Sequence, residues 1–352
     1  MDGDPPISKP GAFRLSGQQI ELTALARPAG CGQIRAAPRR ERLTAQSNLK
    51  GDRRCSASHQ RAWYRMFFVA GSVIVVLSVL GGYAALGGKL YVLWQPFEIV
   101  IICGAAAGAF ITSNRKPVLA LTAKALACLL KGDKYDKAAY LELLSLLYTI
   151  FRLANAKGWL ALEQHVEKPD QSALFARFPK FKSDHHAVTF LCDYLRLLTV
   201  GSDNPHEMEA LMNEEIETHH AEHNAVFIAV QTVADSTPAL GIVAAVLGVI
   251  KTMGAIAEPP EVLGKLIGGA LVGTFLGVLL AYGFFGPIAA SIRARHEAEL
   301  RYFLCIKAGI LAYMQGYAPA IAVEFARKAL TSDVRPTFYE VEKAVDGLPS
   351  AA

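Results

Sequence analysis

The sequence predicts an all-α polytopic membrane protein with four transmembrane helices and a large helical domain between the second and the third. Three observations carry that reading. Mean hydropathy is +0.27 and only 19% of the 352 residues are charged, which is too apolar for an ordinary soluble domain. Four apolar runs reach or approach the ~20 residues that a helix needs to cross hydrocarbon. Outside them, leucines and tyrosines recur at three- and four-residue steps, with no alternating strand pattern and no Asn-Gly hairpin.

The first run, 66–86, carries no charge. The second, 97–113, is shorter and rich in Gly and Ala, with Glu98 at its outer edge. The third, 238–257, is interrupted only by Lys251, and the fourth, 266–290, is uncharged throughout. The connections at 87–96 and 258–265 hold only Lys89 and Lys265 as bases, whereas Arg61, Arg65, Arg115, Lys116, Arg293, Arg295 and Arg301 flank the opposite ends. By the positive-inside rule both termini are then cytoplasmic, as is the segment 114–237 between spans two and three. The expected organisation is an N-terminal extension (1–65), spans one and two (66–113), a helical cytoplasmic domain (114–237), spans three and four (238–290), and C-terminal helices with a tail (291–352).

The extension holds twelve Lys/Arg against five acids, so the net charge of +5 is a property of this stretch and the rest carries −2. The basic pI of 8.8 therefore gives no argument for a nucleic-acid partner. Residues 1–65 lack a signal-peptide apolar core and have the Arg-, Pro-, Gln- and Ser-rich composition of disorder. Met66 stands directly before the first run, and the extension is expected to be an over-long gene start. The six cysteines, Cys31, Cys55, Cys103, Cys128, Cys192 and Cys305, form no CxxC pair, which argues against a zinc or disulfide framework.

Within 114–237, helices are expected at 116–131, with Leu119, Ala123, Leu126 and Leu130 on one face, and at 134–157, ending at Gly158. A short piece follows at 159–166, then an amphipathic helix at 184–199 with Val188, Leu191, Leu195 and Leu198 on one side. Asn204-Pro205 opens a long helix, an Asn cap with Pro at the first helical position. Beyond span four come helices at 292–313 and 320–330, and Pro336 is expected to close the ordered part.

No nucleophile elbow, phosphate-binding Gly loop or dinucleotide fingerprint occurs, so neither an enzyme nor a cofactor is expected. His219 and His223 are four apart and could hold a metal, but their run MNEEIETHHAEH is charged all round. A solvated helix surface is the expectation, for His185-His186 as well. Gly269, Gly273 and Gly277 repeat every fourth residue, and Gly241, Ala245 and Gly248 form a matching smooth surface, the pattern that lets membrane helices approach closely. Thr274 is one of few mid-span hydroxyls and shares a face with Ala270, Gly277 and Ala281, although a lone Thr more often bonds its own helix carbonyl. No Asp or Glu stands at mid-span, so a titrating carboxylate must come from a partner. Pro238 and Pro287, at the cytoplasmic ends of spans three and four, loosen the backbone ladder.

The runs VADSTPALGIVAAVLGVI (233–250) and LVGTFLGVLLAYGFFGPIA (271–289) resemble the flagellar motor stator A subunits (MotA) of the MotA/TolQ/ExbB proton-channel superfamily. So do YLRLL (194–198), EALMNEEIETH (209–219), LALEQHVEKP (160–169) and GYAPAIAVEFARKAL (316–330). The resemblance runs from residue 66 to about 345. It implies a homopentameric ring in the bacterial inner membrane around a pair of helices from MotB, which carries the proton-accepting Asp and anchors to peptidoglycan. It also implies a role in motility and chemotaxis, with Thr274 and Tyr282 beside the ion path. Pro238 and Pro287 match the prolines that couple protonation to domain movement. The family pushes on the rotor protein FliG through an acidic and a basic patch. Glu163 matches the acidic position; at the basic one this chain has Asn155-Ala156, with Arg152 and Lys157 nearby. Either those two take over, or the rotor contact is weighted differently. Protons are favoured over sodium, since a sodium site wants several oxygen ligands. The rivals are a TolQ- or ExbB-like energiser of another envelope system and a membrane adaptor without ion flux.

Overall fold

The computed structural model describes residues 69–129 and 134–347; the expected extension 1–65 lies outside them. Every described element is helical. The order is α1 (Val69–Ala85), α2 (Pro96–Ser113), α3 (Lys116–Leu129), α4 (Lys137–Lys157), α5 (Glu163–Glu167), α6 (Pro179–Lys182), α7 (His185–Val200), α8 (Pro205–Met253), α9 (Pro260–Leu280), α10 (Gly286–Met314), α11 (Pro319–Lys328) and α12 (Phe338–Asp346). Three stretches are long and apolar enough to cross a membrane, Leu90–Ser113, Pro205–Met253 and Pro260–Met314, and α1 is a shorter apolar helix.

Two helices are longer than the periodicity alone suggests. α8 runs unbroken for 49 residues from its Asn204 cap, roughly 74 Å at 1.5 Å per residue, so the long helix expected from Asn204 and the third apolar run are one rod. Likewise α9 and α10 form a continuous stretch of 55 residues, Pro260–Met314, joined by a π-helical turn at Ala281–Phe285. The helix expected separately at 292–313 is thus the continuation of the fourth run. Ser291, the residue between Ala290 and Ile292, does not start a new helix: its hydroxyl donates back to the Pro287 carbonyl at 2.8 Å.

The polar segments fold into a helical domain around α4. Asp136 caps α4 by accepting from the Ala139 N–H, and Gly158, at φ +78°, ends it. Leu143, Leu144, Leu146, Leu147, Ile150 and Phe151 are fully buried, each worth roughly 1.5–3 kcal/mol of transfer free energy. Tyr140 donates from its hydroxyl to the Ala298 carbonyl of α10 at 3.1 Å, and Tyr313 of α10 stacks on Phe151 with ring centres 4.7 Å apart. On α7 the expected face is the buried one: Leu191, Leu195 and Leu198 enter the same core.

Two expectations are corrected. The inward stripe of α3 runs through buried Thr122 and half-buried Val118, Ala125 and Leu129, whereas Leu126 on the other stripe is 41% exposed. Both stripes have helical spacing, and Thr122 can be the inward residue because its hydroxyl donates to the Val118 carbonyl at 2.7 Å. Pro336 does not close the ordered part. Thr337 and Glu340 make a reciprocal capping box that starts α12, whose Val341 is buried on the domain core.

The apolar parts of α8 and α9 touch backbone to backbone. A Cβ on Gly241 would sit 2.8 Å from the Gly273 carbonyl oxygen, and one on Gly277 would sit 2.7 Å from the Gly241 Cα. Neither neighbour is a side chain that could move. Gly277→Val should therefore cost about 1–3 kcal/mol and lower the melting temperature of the detergent-solubilised chain, whereas Gly104→Ala, with nothing within 4 Å of its added methyl, should leave it unchanged. Equal melting of the two variants would contradict a backbone-tight seam.

Candidate functional site

The seam between α8 and α9 is built from the small residues that the sequence singles out. Gly241 faces Gly273 and Gly277, Gly248 meets Ala270, and Gly273 meets Ala244 and Ala245. Ala270, 2% exposed, and Gly277 therefore lie inside the contact with α8. Thr274 sits at its margin, half-exposed, and Tyr282 is 71% exposed on the π turn. Of the four residues expected on one face, Ala270, Gly277 and Ala281 are buried and Thr274 is half-exposed. Thr237 and Thr252 are buried and return their hydroxyls to the Val233 and Gly248 carbonyls at 2.6 and 2.9 Å. Thr274 makes no such bond among the described residues, which leaves its hydroxyl available.

Gly269 packs against Gln95 and Gly268 against Val92, because the connection after α1 turns inward as a 3-10 turn at Leu90–Leu93. Glu98, in the first turn of α2, reaches the level of Gly273 and Ala245: its Oε2 lies 3.0 Å from where a Gly273 Cβ would stand. Ala245 is eight residues short of the Met253 end of α8, roughly 12 Å along the helix. Glu98, expected at the outer edge of its run, thus lies against Gly273 of α9. Glu98 Oε2 is buried without a hydrogen-bond partner, so it can accept a proton or a donor from outside the chain.

Both prolines stand at local faults. Pro238 lies inside α8 and has no N–H for the Ala234 carbonyl. Next to it Ser236 and Thr237 both direct hydroxyls to the Val233 carbonyl, at 3.2 and 2.6 Å. Pro287 is in the first turn of α10, directly after the π turn, which supplies the wider i→i+5 pairing typical of functional bends.

A charged corner lies at the opposite end of the domain's central helix. Arg152, Asn155 and Lys157 occupy the last turns of α4, and a 3-10 turn, Trp159–Leu162, leads to Glu163 at the start of α5. Buried Leu162 and Val166 pin α5 to the core. Glu163, Asn155 and Lys157 are exposed and Arg152 half-exposed. None of Glu163, Arg152 and Lys157 is ion-paired among the described residues, whereas neighbouring Arg196 is held by Glu167 and Asp193, each at 2.8 Å.

Of the histidines expected on a solvated surface, His185, His186 and His220 are exposed, and two are not. His219 and His223 turn inward onto α10. Their rings are 4.3 Å apart, and His223 lies 4.5 Å from His296 of α10. Burial pushes His219 and His223 below the ordinary histidine range against the opposing pull of Glu299, and takes His296 down to about 4. Sequence periodicity could not reveal this, because the partner residues come from a helix some 75 positions later. Among the described residues the cysteines, Cys103, Cys128, Cys192 and Cys305, are free thiols.

Residues 69–158 match the family described as Motility protein A N-terminal, and residues 182–304 match the MotA/TolQ/ExbB proton channel family. Motility protein A of Escherichia coli is 45% identical over 280 residues, 80% of this chain and 95% of that protein. Chemotaxis protein LafT of Vibrio parahaemolyticus is 36% identical, covering 78% and 96%. The fold is shared with the C. jejuni MotAB structure at a TM-score of 0.64, 20% identity, and 76% and 96% coverage. It is shared also with the flagellar MotAB stator complex of Bacillus subtilis at 0.59, 23% identity, and 73% and 92% coverage.

Replacing Pro238 by Ala gives the Ala234 carbonyl a donor. Pro238→Ala should raise, not lower, the melting temperature of the solubilised chain, since an interior Pro costs a helix about 3 kcal/mol. A lower melting point would mean that the fault is a packing requirement.

Proposed function

The chain belongs to the motility protein A family of flagellar stator subunits, within the MotA/TolQ/ExbB proton channel family, and on that premise we propose how its residues conduct an ion and turn the flux into torque. α1, α2, the part of α8 beyond Pro238, and α9 are the four spans of a multi-pass inner-membrane protein. Residues 114–237 and 291–352 are cytoplasmic, as are both termini. The charge asymmetry of the connecting loops supports this orientation. Residues 1–65 are an extension outside the stator fold.

Five copies surround a pair of MotB-type helices, whose Asp binds the travelling proton. Thr274 and Tyr282 face that path, and Ala270 and Gly277 behind them hold α9 at a fixed distance from α8. Glu98 is a second carboxyl on the route. The observation that carries this reading is the combination of a rigid glycine seam with a free hydroxyl at its margin. Proton uptake by the partner biases the faults at Pro238 and Pro287, and the continuous rods α8 and α9–α10 carry the shift to the cytoplasmic domain. There the charged corner, Glu163 with Arg152 and Lys157, meets the rotor protein FliG, with Asn155 between them. Unpaired rim charges of this kind tune association and register. The subunit works as channel and stator, without catalysis. A TolQ- or ExbB-like role in another envelope system fits less well, because the N-terminal match is to motility proteins in particular.

Two experiments test this. Co-expressed with a B subunit lacking its plug, the chain should acidify the cytoplasm, and Thr274→Val should slow that flux; no acidification by the unsubstituted pair would favour an adaptor without ion flux. In a motility assay Glu163→Lys should reduce swarming at normal membrane levels. Arg152→Glu and Lys157→Glu should each reduce it more than Asn155→Glu. Full motility in all of these variants would remove the electrostatic rotor contact.

A further inference from the structure

We propose that the interface of α8 and α10 holds a divalent transition-metal ion of the zinc class, with His219, His223 and Glu299 as ligands and His296 placed to serve as a fourth. His219 and His223 share a face of α8 at i,i+4, and His296 and Glu299 share a face of α10 at i,i+3. The two faces meet. One ligand atom each of His219, His223 and Glu299 can be chosen so that all three lie within 4.8 Å of one another, and His223 Nδ1 is 3.9 Å from Glu299 Oε2. A tetrahedral ion with bonds of about 2.0–2.2 Å needs its donors a little closer, a shift within reach of side-chain torsions.

The cluster makes poor sense as packing alone. His219 Nε2 and His296 Nδ1 are both buried with no hydrogen-bond partner, although buried nitrogens are almost always partnered. Glu299 is braced from behind: Tyr135 donates to Asp184 Oδ2 at 2.8 Å and shares the same hydroxyl with Glu299 Oε1 at 3.3 Å. Such carboxylate and hydroxyl bracing orients metal ligands. Lys134 neutralises Asp184 at 2.7 Å, so the outer charge does not compete for the ion. A pocket between His186 and Phe190 of α7, Glu215 and His219 of α8, and Phe303 of α10 gives an approach from solvent. Two or three nitrogens and one carboxylate select zinc, cobalt or nickel over calcium or magnesium, which prefer oxygen throughout. A bound ion ties α8 to α10 fifteen residues before Pro238 and nine after Pro287.

The test uses the full-length chain in detergent, with any tag removed and metal stripped by chelator, titrated with Zn²⁺ against a chromophoric competitor. About one equivalent should bind, Co²⁺ should give a tetrahedral absorption spectrum, and a hundredfold excess over Kd should raise the melting temperature by roughly 5–10 °C. His223→Gln and Glu299→Gln should each weaken Zn²⁺ binding at least tenfold, while His220→Gln, an exposed neighbour, should not. A wild-type chain that binds no Zn²⁺, or binding that survives loss of His219, His223 and Glu299 together, overturns the proposal. Because none of these readouts involves ion flux or motility, failure here leaves the stator reading untouched, and the converse holds as well.

Discussion

Where α8 and α9 meet, no side chain separates them. Gly241 lies against the backbone of Gly273 and Gly277, and Gly248 against Ala270, so the distance between the two rods is set by main-chain contact. Apolar burial offers little drive between helices already in lipid, and close van der Waals approach is what remains to hold them. Everything near the candidate ion path inherits its position from that contact. Thr274 stands at the edge of the seam because Ala270 and Gly277 are inside it. Glu98 reaches the level of Gly273 because a glycine there leaves room for a carboxylate.

From the seam, two continuous helices lead into the helical domain, and each contains one backbone fault. At Pro238 a carbonyl has lost its donor; before Pro287 the helix widens into a π turn. Rods that are stiff except at one point confine bending to that point. The domain beyond is firm: α4 is buried along its length among aromatic and aliphatic side chains, and α8 is fastened to α10 by Lys307, which contacts Asn213 and Glu209 at 2.6 and 3.0 Å. Arg295 of α10 donates to the Cys128 carbonyl of α3. A displacement at either proline would thus move the domain as a body.

The charged corner and the histidine cluster differ in how they treat charge. At the end of α4 the ionic groups are solvated and unpaired, which suits transient contact with a partner. Between α8 and α10 the titratable groups are drawn inward, with nitrogens left unpartnered, which suits a permanent ligand. The same helical domain therefore presents one labile electrostatic surface and one internal site, carried on different helices.

Much of this protein could be read directly from its residues. Helical class, the long apolar runs, the caps at Asn204 and Gly158 and the glycine repeats all depend on local spacing and backbone chemistry, which one strand of sequence contains. Several of the points where that reading failed share a cause: each turns on which face of a helix meets a distant neighbour. Leu126 and Thr122 both lie on helical stripes of α3, and only the presence of α8 and α10 decided which is buried. That Glu98, at the edge of its run, lies against Gly273 is a matter of how α2 packs on α9. The histidines of α8 looked solvated in a charged run until His296 and Glu299 arrived from α10. Periodicity defines a face but not its partner, and the partner was supplied by tertiary packing alone.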